Sequence, residues 1–433
     1  MIGKLAAVGL AHPFEEGYAD VHRVLDETVR SLEAVGVSCL NTGIVLEDLD
    51  TVLSAESALR GEAFDAMMVC IATWSEDHHL FDLTANIAQP LILRAYPAFS
   101  TGSLCCTHQI ACVLTELSME YAYVYGKPDD PEATTKTAEL TEAYGLRSVM
   151  RKTRVGSIGG RVKGMTEIAC DEFGLMDKIG ARVVNLNESE LTDSVAAIDD
   201  AAAESEWRRI DAQTKNCKPL SPKSDVLESV KYYLAMKELV REHSLDALAV
   251  KCYTKYMGKV CLGYSLLAEE GITCSCEGDV PNALTMKMLQ CLSGEPVNNT
   301  DLLYPDPNGN TILFSHCGSS GFSISAGEIE LAPVRLAETG VCARFLPKTG
   351  PVTLVNLCGH GDGMRLTVMS GEAVECGMEF QGNPLKVTFK RPVLELCEDI
   401  AQRGIGHHWM AGYGDHAQKL RIFCEGKLNY VLL

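Results

Sequence analysis

Residues 271–294, GITCSCEGDVPNALTMKMLQCLSG, decide the fold because they change from a strand pattern to a helix pattern within a few residues. The first six, GITCSC, are typical of a short buried strand, and residues 282–294 carry apolar side chains at helical spacing. Glu277 therefore stands where a strand ends, which is the edge at which open α/β sheets bind their ligands. A carboxylate at that position can bind a metal ion or transfer a proton.

Two more carboxylates accompany Glu277. Asp301 follows it 24 residues later (301 − 277) and offers a second acidic group. Asp279 lies just before Pro281, which is an ordinary start signal for a helix, so Asp279 is either a helix N-cap or a partner of Glu277. The pattern leaves both interpretations of Asp279 open.

Buried apolar runs alternate with helical patterns over most of the chain, which predicts two doubly wound α/β domains with parallel sheets. The first domain covers residues 1–128 and the second covers residues 129–295. The predicted strands of the first are residues 4–10, 37–43, 64–72 and 89–95, and those of the second are residues 154–160, 181–186, 245–252 and 272–276.

The pattern changes in residues 296–433, where short runs of β-forming residues are separated by Gly and Pro. This texture predicts an antiparallel, barrel-like β domain, interrupted by one helix at residues 393–404. The runs are TILFSHCG (311–318), VCARFL (341–346), PVTLVNLCG (351–359), MRLTVMSGEAVEC (364–376) and PLKVTFKRP (384–392).

The charge balance restricts the partners. With 38 basic and 58 acidic residues the formal net charge is −20, which argues against binding DNA or RNA. A local group of cations can still bind one small anion, and the available candidates are Arg94, Arg161, Lys251 and Lys255. The N-terminal residues do not match a secretory signal and no run is apolar enough to span a membrane, so a cytoplasmic protein is expected.

Histidines and glycines supply the other candidate sites. His316 ends a predicted strand, and His407 and His408 follow a glycine-rich bend. Because neighbouring residues of a strand face opposite sides, only one of this pair is expected at a common site. The segment from Gly156 to Arg161 between a strand and a helix suggests a phosphate cradle, but it does not match GxGxxG, and a tight turn is favoured.

Taken together, CEGDVPNALTM (276–286), Asp301, FSHCG (314–318) and the closing GIGHHWMAGYGD (404–415) resemble the L-fucose isomerase family. The resemblance covers most of the chain and implies two α/β domains followed by a β-rich domain. It also implies an aldose–ketose isomerase that uses Mn²⁺. The chain resembles a compact branch of the family, and the resemblance leaves the sugar open among a deoxyhexose, a pentose and a sulfonated hexose.

Carried over residue by residue, the resemblance implies Glu277, Asp301 and His408 as the Mn²⁺ ligands, with His407 as the rival imidazole. In this chemistry Glu277 and Asp301 move a proton between C2 and C1 through a cis-enediolate, although their individual roles stay open. A bound Mn²⁺ polarises the carbonyl during that transfer.

The resemblance also implies sugar contacts outside the metal ligands. Trp74 and His12 from the first domain are expected to reach the sugar, often from a neighbouring subunit of a trimer or hexamer. From their positions at the ends of predicted strands and not from the resemblance, His316 is expected to hydrogen-bond the substrate or transfer a proton between its oxygens, and Lys251 to orient a sugar hydroxyl. Two other functions remain as alternatives: a non-catalytic sugar-binding protein with tandem α/β domains, and a nicotinamide-dependent oxidoreductase.

Overall fold

The computed structural model of the chain describes residues 2–98, 100–214 and 217–433. The chain divides into two compact units, Met1–Val149 and Met150–Leu433. Within the described residues, no helix is both long and apolar enough to cross a membrane. The three-domain division at residues 128 and 295 stays a prediction.

The first unit is built on a parallel five-stranded sheet in the order β2-β1-β3-β4-β5. Its strands are β1 (Lys4–Leu10), β2 (Ser38–Leu46), β3 (Ala66–Ile71), β4 (Leu91–Ala95) and β5 (Tyr121–Tyr125). Its helices are α1 (Val21–Ala34), α2 (Leu49–Leu59), α3 (His78–Thr84), α4 (Ser103–Glu116) and α5 (Pro131–Met150). Every residue of β3 is buried, as expected of a central strand that is covered on both faces.

The second unit begins with a parallel four-stranded sheet in the order β10-β9-β6-β7. Its strands are β6 (Arg154–Ile158), β7 (Arg182–Leu186), β9 (Ala247–Val250) and β10 (Thr273–Ser275). Its helices are α6 (Glu172–Lys178), α7 (Glu188–Ala197), α8 (Asp200–Gln213), α9 (Lys223–His243), α10 (Cys261–Glu269) and α11 (Val280–Ser293). The predicted strand–turn–helix at residues 271–294 is therefore confirmed as β10, a tight turn and α11.

A seven-stranded sheet follows in the order β15-β18-β11-β12-β17-β16-β19, and β15 also pairs with β16. All of its pairings are antiparallel except the one between β16 and β19. Its strands are β11 (Asn298–Asp306), β12 (Thr311–Ser315), β15 (Gly350–Cys358), β16 (Arg365–Val374), β17 (Leu385–Thr388), β18 (His408–Tyr413) and β19 (Asn429–Leu432). The α/β plus β class is confirmed, whereas a closed barrel stays a prediction.

A small third sheet joins the two parts of this unit, because β8 (Cys217–Pro219) pairs with β13 (Ile329–Val334), and β13 pairs with β14 (Thr339–Arg344). The remaining helices are α12 (Val393–Gln402) and α13 (Ala417–Cys424). One hydrophobic core contains Val250 of the parallel sheet as well as Phe314 and Trp409 of the antiparallel sheet. The carboxyl end of β10 and the strands β11 and β18 are thereby held in one packed body.

Candidate active site

Glu277 lies in a turn with an unusual backbone. Its φ is +64° and that of Gly278 is +76°, so both residues are left-handed. The Gly278 N–H donates to the Val250 carbonyl at 3.0 Å, and the Glu277 carbonyl accepts from the Val162 N–H at 3.1 Å. A non-glycine residue in this region costs ~1–3 kcal/mol, and such strain concentrates at functional sites. The turn therefore holds the Glu277 side chain at a fixed place beyond the end of β10.

The turn also explains the glycine segment that follows β6. A Cβ on Gly278 would lie 2.1 Å from the Gly160 carbonyl oxygen, so the two turns are in direct backbone contact. Gly159 and Gly160 are themselves left-handed, with φ of +76° and +70°. The segment acts in the fold as a tight turn that supports Glu277.

We expect Gly278→Ala to destabilise the protein and to displace Glu277, because the new methyl group collides with backbone that cannot give way. Gly160→Ala is the matched control, since its φ is also positive but a Cβ there meets nothing within 4 Å. Thermal unfolding should show the smaller loss for Gly160→Ala, about 1 kcal/mol. Equal losses for the two variants would mean that the backbone contact does not matter.

His408 is the centre of the candidate site. It begins β18 and is 1% exposed. Its Nδ1 lies 2.7 Å from Asp279 Oδ2, and its Nε2 lies 3.0 Å from Glu277 Oε2 and 3.6 Å from Asp301 Oδ1. Three carboxylates thus surround one buried imidazole.

Asp279 has both of the roles that the sequence left open. Its Oδ1 accepts from the Asn282 N–H at 3.0 Å and caps α11. Its Oδ2 faces His408 Nδ1, which places a proton on that nitrogen. The lone pair of His408 is then on Nε2 and points toward Glu277 and Asp301. A histidine oriented by a carboxylate is the usual arrangement of an imidazole metal ligand.

The antiparallel sheet supplies the other side of the site. Asp301 on β11 pairs directly with Ser315 of β12 and with His408 of β18. His316, immediately after β12, places its Nε2 3.8 Å from Asp301 Oδ2. The structure therefore brings Glu277, Asp301, His316 and His408 together as one cluster. Their roles stay predictions.

The electrostatics of the cluster favour a positive charge at its centre. Burial alone lowers the pKa of His408, but its hydrogen bonds with Asp279 and Glu277 outweigh burial and raise the pKa to about 10. Burial also lowers the pKa of His316, but its interactions with Cys317 and Asp301 outweigh burial and raise the pKa to about 9. Burial raises the pKa of Glu277, yet the His408 hydrogen bond and the His316 charge bring it below its ordinary value.

The side chains fit a divalent cation. Two groups of candidate ligand atoms within 4.8 Å of one another include His408, one with Glu277 and His407 and one with Asp301 and His316. Asp301 Oδ1 is buried and has no hydrogen-bond partner among the residues that the structure describes. Carboxylate oxygens together with imidazole suit Mn²⁺ and related divalent ions.

His407 lies closer to the cluster than strand alternation predicts. Its Nδ1 lies 2.7 Å from Glu167 Oε1, and its ring centroid lies 4.0 Å from that of His408. Because β18 begins at His408, the pleat of the strand does not govern the preceding residue. His407 is exposed, whereas His408 is buried among the carboxylates.

Lys251 lies at a strand end, as the sequence predicts, but the charged group beside it is Glu188. It follows β9, and its Nζ lies 3.8 Å from Glu188 Oε1. Glu188 also binds Lys255 Nζ at 2.8 Å. Among the described residues, the groups of potential metal ligands do not include this carboxylate. A substrate contact of Lys251 stays a prediction.

In the first unit, His12 and Trp74 come together after β1 and β3. The order of the sheet reverses between these two strands, which is where α/β sheets bind ligands. The ring centroids of His12 and Trp74 are 6.0 Å apart. Trp74 Nε1 donates to Gln109 Oε1 at 3.2 Å, which fixes the indole. Their contact with a sugar stays a prediction.

A cavity adjoins the metal-ligand cluster, and it contains a residue that the sequence did not suggest. It is lined by Glu277, Asp301 and His316 and also by Arg335, which follows β13 in a turn. Arg335 stacks on Phe380, with its Cζ 4.5 Å from the ring centroid. A lone arginine in a surface turn gives no sequence signal, so only the structure identifies it.

Comparison with known proteins places these residues in a family context. No family model matches the chain. A sulfoquinovose isomerase from Alkalicoccus urumqiensis is 26% identical over 319 residues, 71% of this chain and 71% of the relative. Another, from Priestia aryabhattai, is 22% identical over 380 residues, 84% of each chain.

A solved solute-binding protein of an ABC transporter from Agrobacterium vitis, bound with α-D-tagatopyranose, aligns with 68% of this chain and 90% of its own. It is 12% identical with a TM-score of 0.17, a likeness too small to carry any argument. The curated relatives confirm the resemblance to the L-fucose isomerase-like family and indicate that the chain is an aldose–ketose isomerase.

Proposed function

We propose that the protein is a Mn²⁺-dependent aldose–ketose isomerase whose substrate is the sulfonated hexose 6-deoxy-6-sulfoglucose, or sulfoquinovose. The names of the curated relatives support the substrate class. The single observation that carries the chemistry is the arrangement of His408, with Nδ1 on Asp279 and Nε2 toward Glu277 and Asp301.

Glu277, Asp301 and His408 are the proposed ligands. His408 is preferred to His407 because its Nε2 faces both carboxylates and because Asp279 orients its ring. These two carboxylates and one imidazole would hold a divalent cation such as Mn²⁺. When bound, Mn²⁺ would polarise the sugar carbonyl and acidify the adjacent C–H bond.

The carboxylates then move the proton. One of Glu277 and Asp301 removes the proton from C2, which leaves a cis-enediolate. The hydroxyl proton of O2 moves to O1, and the other residue, protonated by exchange with solvent, gives a proton to C1, after which the first residue returns its proton to solvent. His316 hydrogen-bonds the sugar oxygens as their carbonyl and hydroxyl roles exchange, a role supported by its position 3.8 Å from Asp301 Oδ2.

Residues outside the cluster complete the proposal. Lys251 orients a sugar hydroxyl, and His12 and Trp74 contribute from the first unit of a neighbouring subunit in a trimer or hexamer. The rings of His12 and Trp74 lie near each other where the strand order of the parallel sheet reverses, and this position supports a binding role for the two residues. The protein works in the cytoplasm with a small sugar as its partner and without nucleic acid or membrane.

Isotope transfer tests this route. When the Mn²⁺-loaded protein converts sulfoquinovose to its ketose in D₂O, we expect deuterium at C1 of the product, because a carboxylate proton exchanges with solvent. NMR of the product measures the incorporation. A ketose that forms without any deuterium would mean a direct hydride shift and would overturn the proton-transfer roles.

A further inference from the structure

A sulfonated sugar poses an electrostatic problem for this chain. Its sulfonate is a strong-acid anion that stays charged at every physiological pH. The chain has a formal net charge of −20, and three carboxylates surround His408. An anionic substrate therefore needs a local cation at the end of the sugar that is opposite C1 and C2.

The cations that the sequence suggested for this role have other contacts. Lys251 and Lys255 both approach Glu188, and Arg161 Nη1 lies 3.3 Å from the Met165 carbonyl oxygen. Arg94 belongs to the first unit, is 1% exposed and donates to the Lys127 carbonyl at 2.7 Å. None of the four lines the cavity beside Glu277, all of whose lining residues fall in the described part of the chain.

Arg335 meets the requirement. It lines the same cavity as Glu277 and Asp301, and it is the only lysine or arginine among the lining residues. Its guanidinium has no ion pair with a described residue, and its Cζ lies over the Phe380 ring. The N–H groups at the edge remain available for two parallel hydrogen bonds to a tetrahedral oxyanion.

The surrounding side chains suit the same role. Gln381, next to Phe380, offers an amide N–H to the cavity, and Tyr253 lines it with a phenol. Both are neutral groups that can donate hydrogen bonds to sulfonate oxygens without adding negative charge. The cavity is thus lined both by carboxylates of the cluster and by the cation Arg335.

We infer that Arg335 is the sulfonate anchor of this site and the residue that makes it selective for a 6-sulfonated over a neutral 6-deoxy sugar. This inference rests on the proposed function and deepens it. The charge of Arg335 binds the sulfonate, and the Phe380 ring holds the guanidinium in position.

The test compares two substrates that differ only in the charged group, sulfoquinovose and 6-deoxyglucose. For Arg335→Gln we expect KM for sulfoquinovose to rise by roughly 10- to 100-fold, the range of a lost charge-assisted hydrogen bond. The kcat/KM for 6-deoxyglucose should change by less than about 3-fold, since that sugar has no sulfonate to pair with Arg335. Arg335→Lys keeps the charge but not the planar fork and should be intermediate.

Arg208→Gln is the matched control, because Arg208 is an exposed cation of the same unit that does not line the cavity. Arg208→Gln should leave KM and kcat/KM unchanged for both substrates. Suppose that wild type isomerises sulfoquinovose and that Arg335→Gln lowers kcat/KM equally for both substrates, or for neither. The inference is then wrong and the proposed function stands. If wild type isomerises 6-deoxyglucose but shows no preference for sulfoquinovose, the inference is likewise wrong. If wild type converts neither sugar and calorimetry detects no sulfoquinovose binding, the proposed function fails as well.

Discussion

Glu277→Gln is expected to lower the turnover of sulfoquinovose on the order of 10³-fold while leaving the protein folded. The substitution removes both a metal ligand and a group that can take a proton, and the loss of an acid–base group alone costs about 10²- to 10⁴-fold in rate. Glutamine has the same length, and its amide can pair with His408 Nε2 either as a donor to the lone pair of the neutral ring or as an acceptor from the protonated ring. The free energy of unfolding should therefore change by no more than about 1–2 kcal/mol.

Glu167→Gln is the matched control for this experiment. Glu167 Oε1 lies 2.7 Å from His407 Nδ1, so the same chemical change occurs beside the adjacent histidine. We expect its steady-state turnover to stay within a few-fold of wild type. A large loss in Glu167→Gln, with activity retained in Glu277→Gln, would assign the metal to His407 and contradict the proposed ligand set.

Asp279→Asn should weaken Mn²⁺ binding by about 10- to 100-fold without removing the helix cap. The asparagine oxygen can still accept from the Asn282 N–H, whereas its amide N–H group faces His408 Nδ1. His408 must then carry its proton on Nε2, the nitrogen that points toward Glu277 and Asp301. Competition titration with a metal-sensitive dye measures the affinity directly and does not depend on turnover.

Asp199→Asn serves as the control for that experiment, because Asp199 caps α8 through the Ala202 N–H at 2.7 Å. It changes a helix cap in the same way, and we expect no effect on metal affinity. Unaltered Mn²⁺ binding in Asp279→Asn would show that the His408–Asp279 contact does not set the tautomer.

The sequence predicted those parts of the site that lie at strand ends. Glu277 and His316 follow buried runs, and the pattern of such runs is legible because both faces of the strand are covered. β11 was not predicted, since its residues NNTDLLYPD are polar and include a proline. They are polar in part because Asp301 on this strand faces the cluster, so the site itself masks the strand pattern.

Contacts between distant segments could not be read from the sequence. Arg335 lies 58 residues after Glu277 (335 − 277) in an exposed turn, a position where arginine is common. Lys251 was predicted from its strand end, but a strand end does not specify a neighbour, and Glu188 supplies one. Asp279 showed a cap signal, and only the structure shows that its second oxygen meets His408 of β18.

The most direct test is ketose formation from sulfoquinovose by protein that has been chelated and then titrated with Mn²⁺. We predict that chelated protein loses turnover and that about one equivalent of Mn²⁺ per chain restores it in wild type but not in Glu277→Gln. Full turnover in thoroughly chelated protein would contradict a metal-dependent isomerase at Glu277, Asp301 and His408.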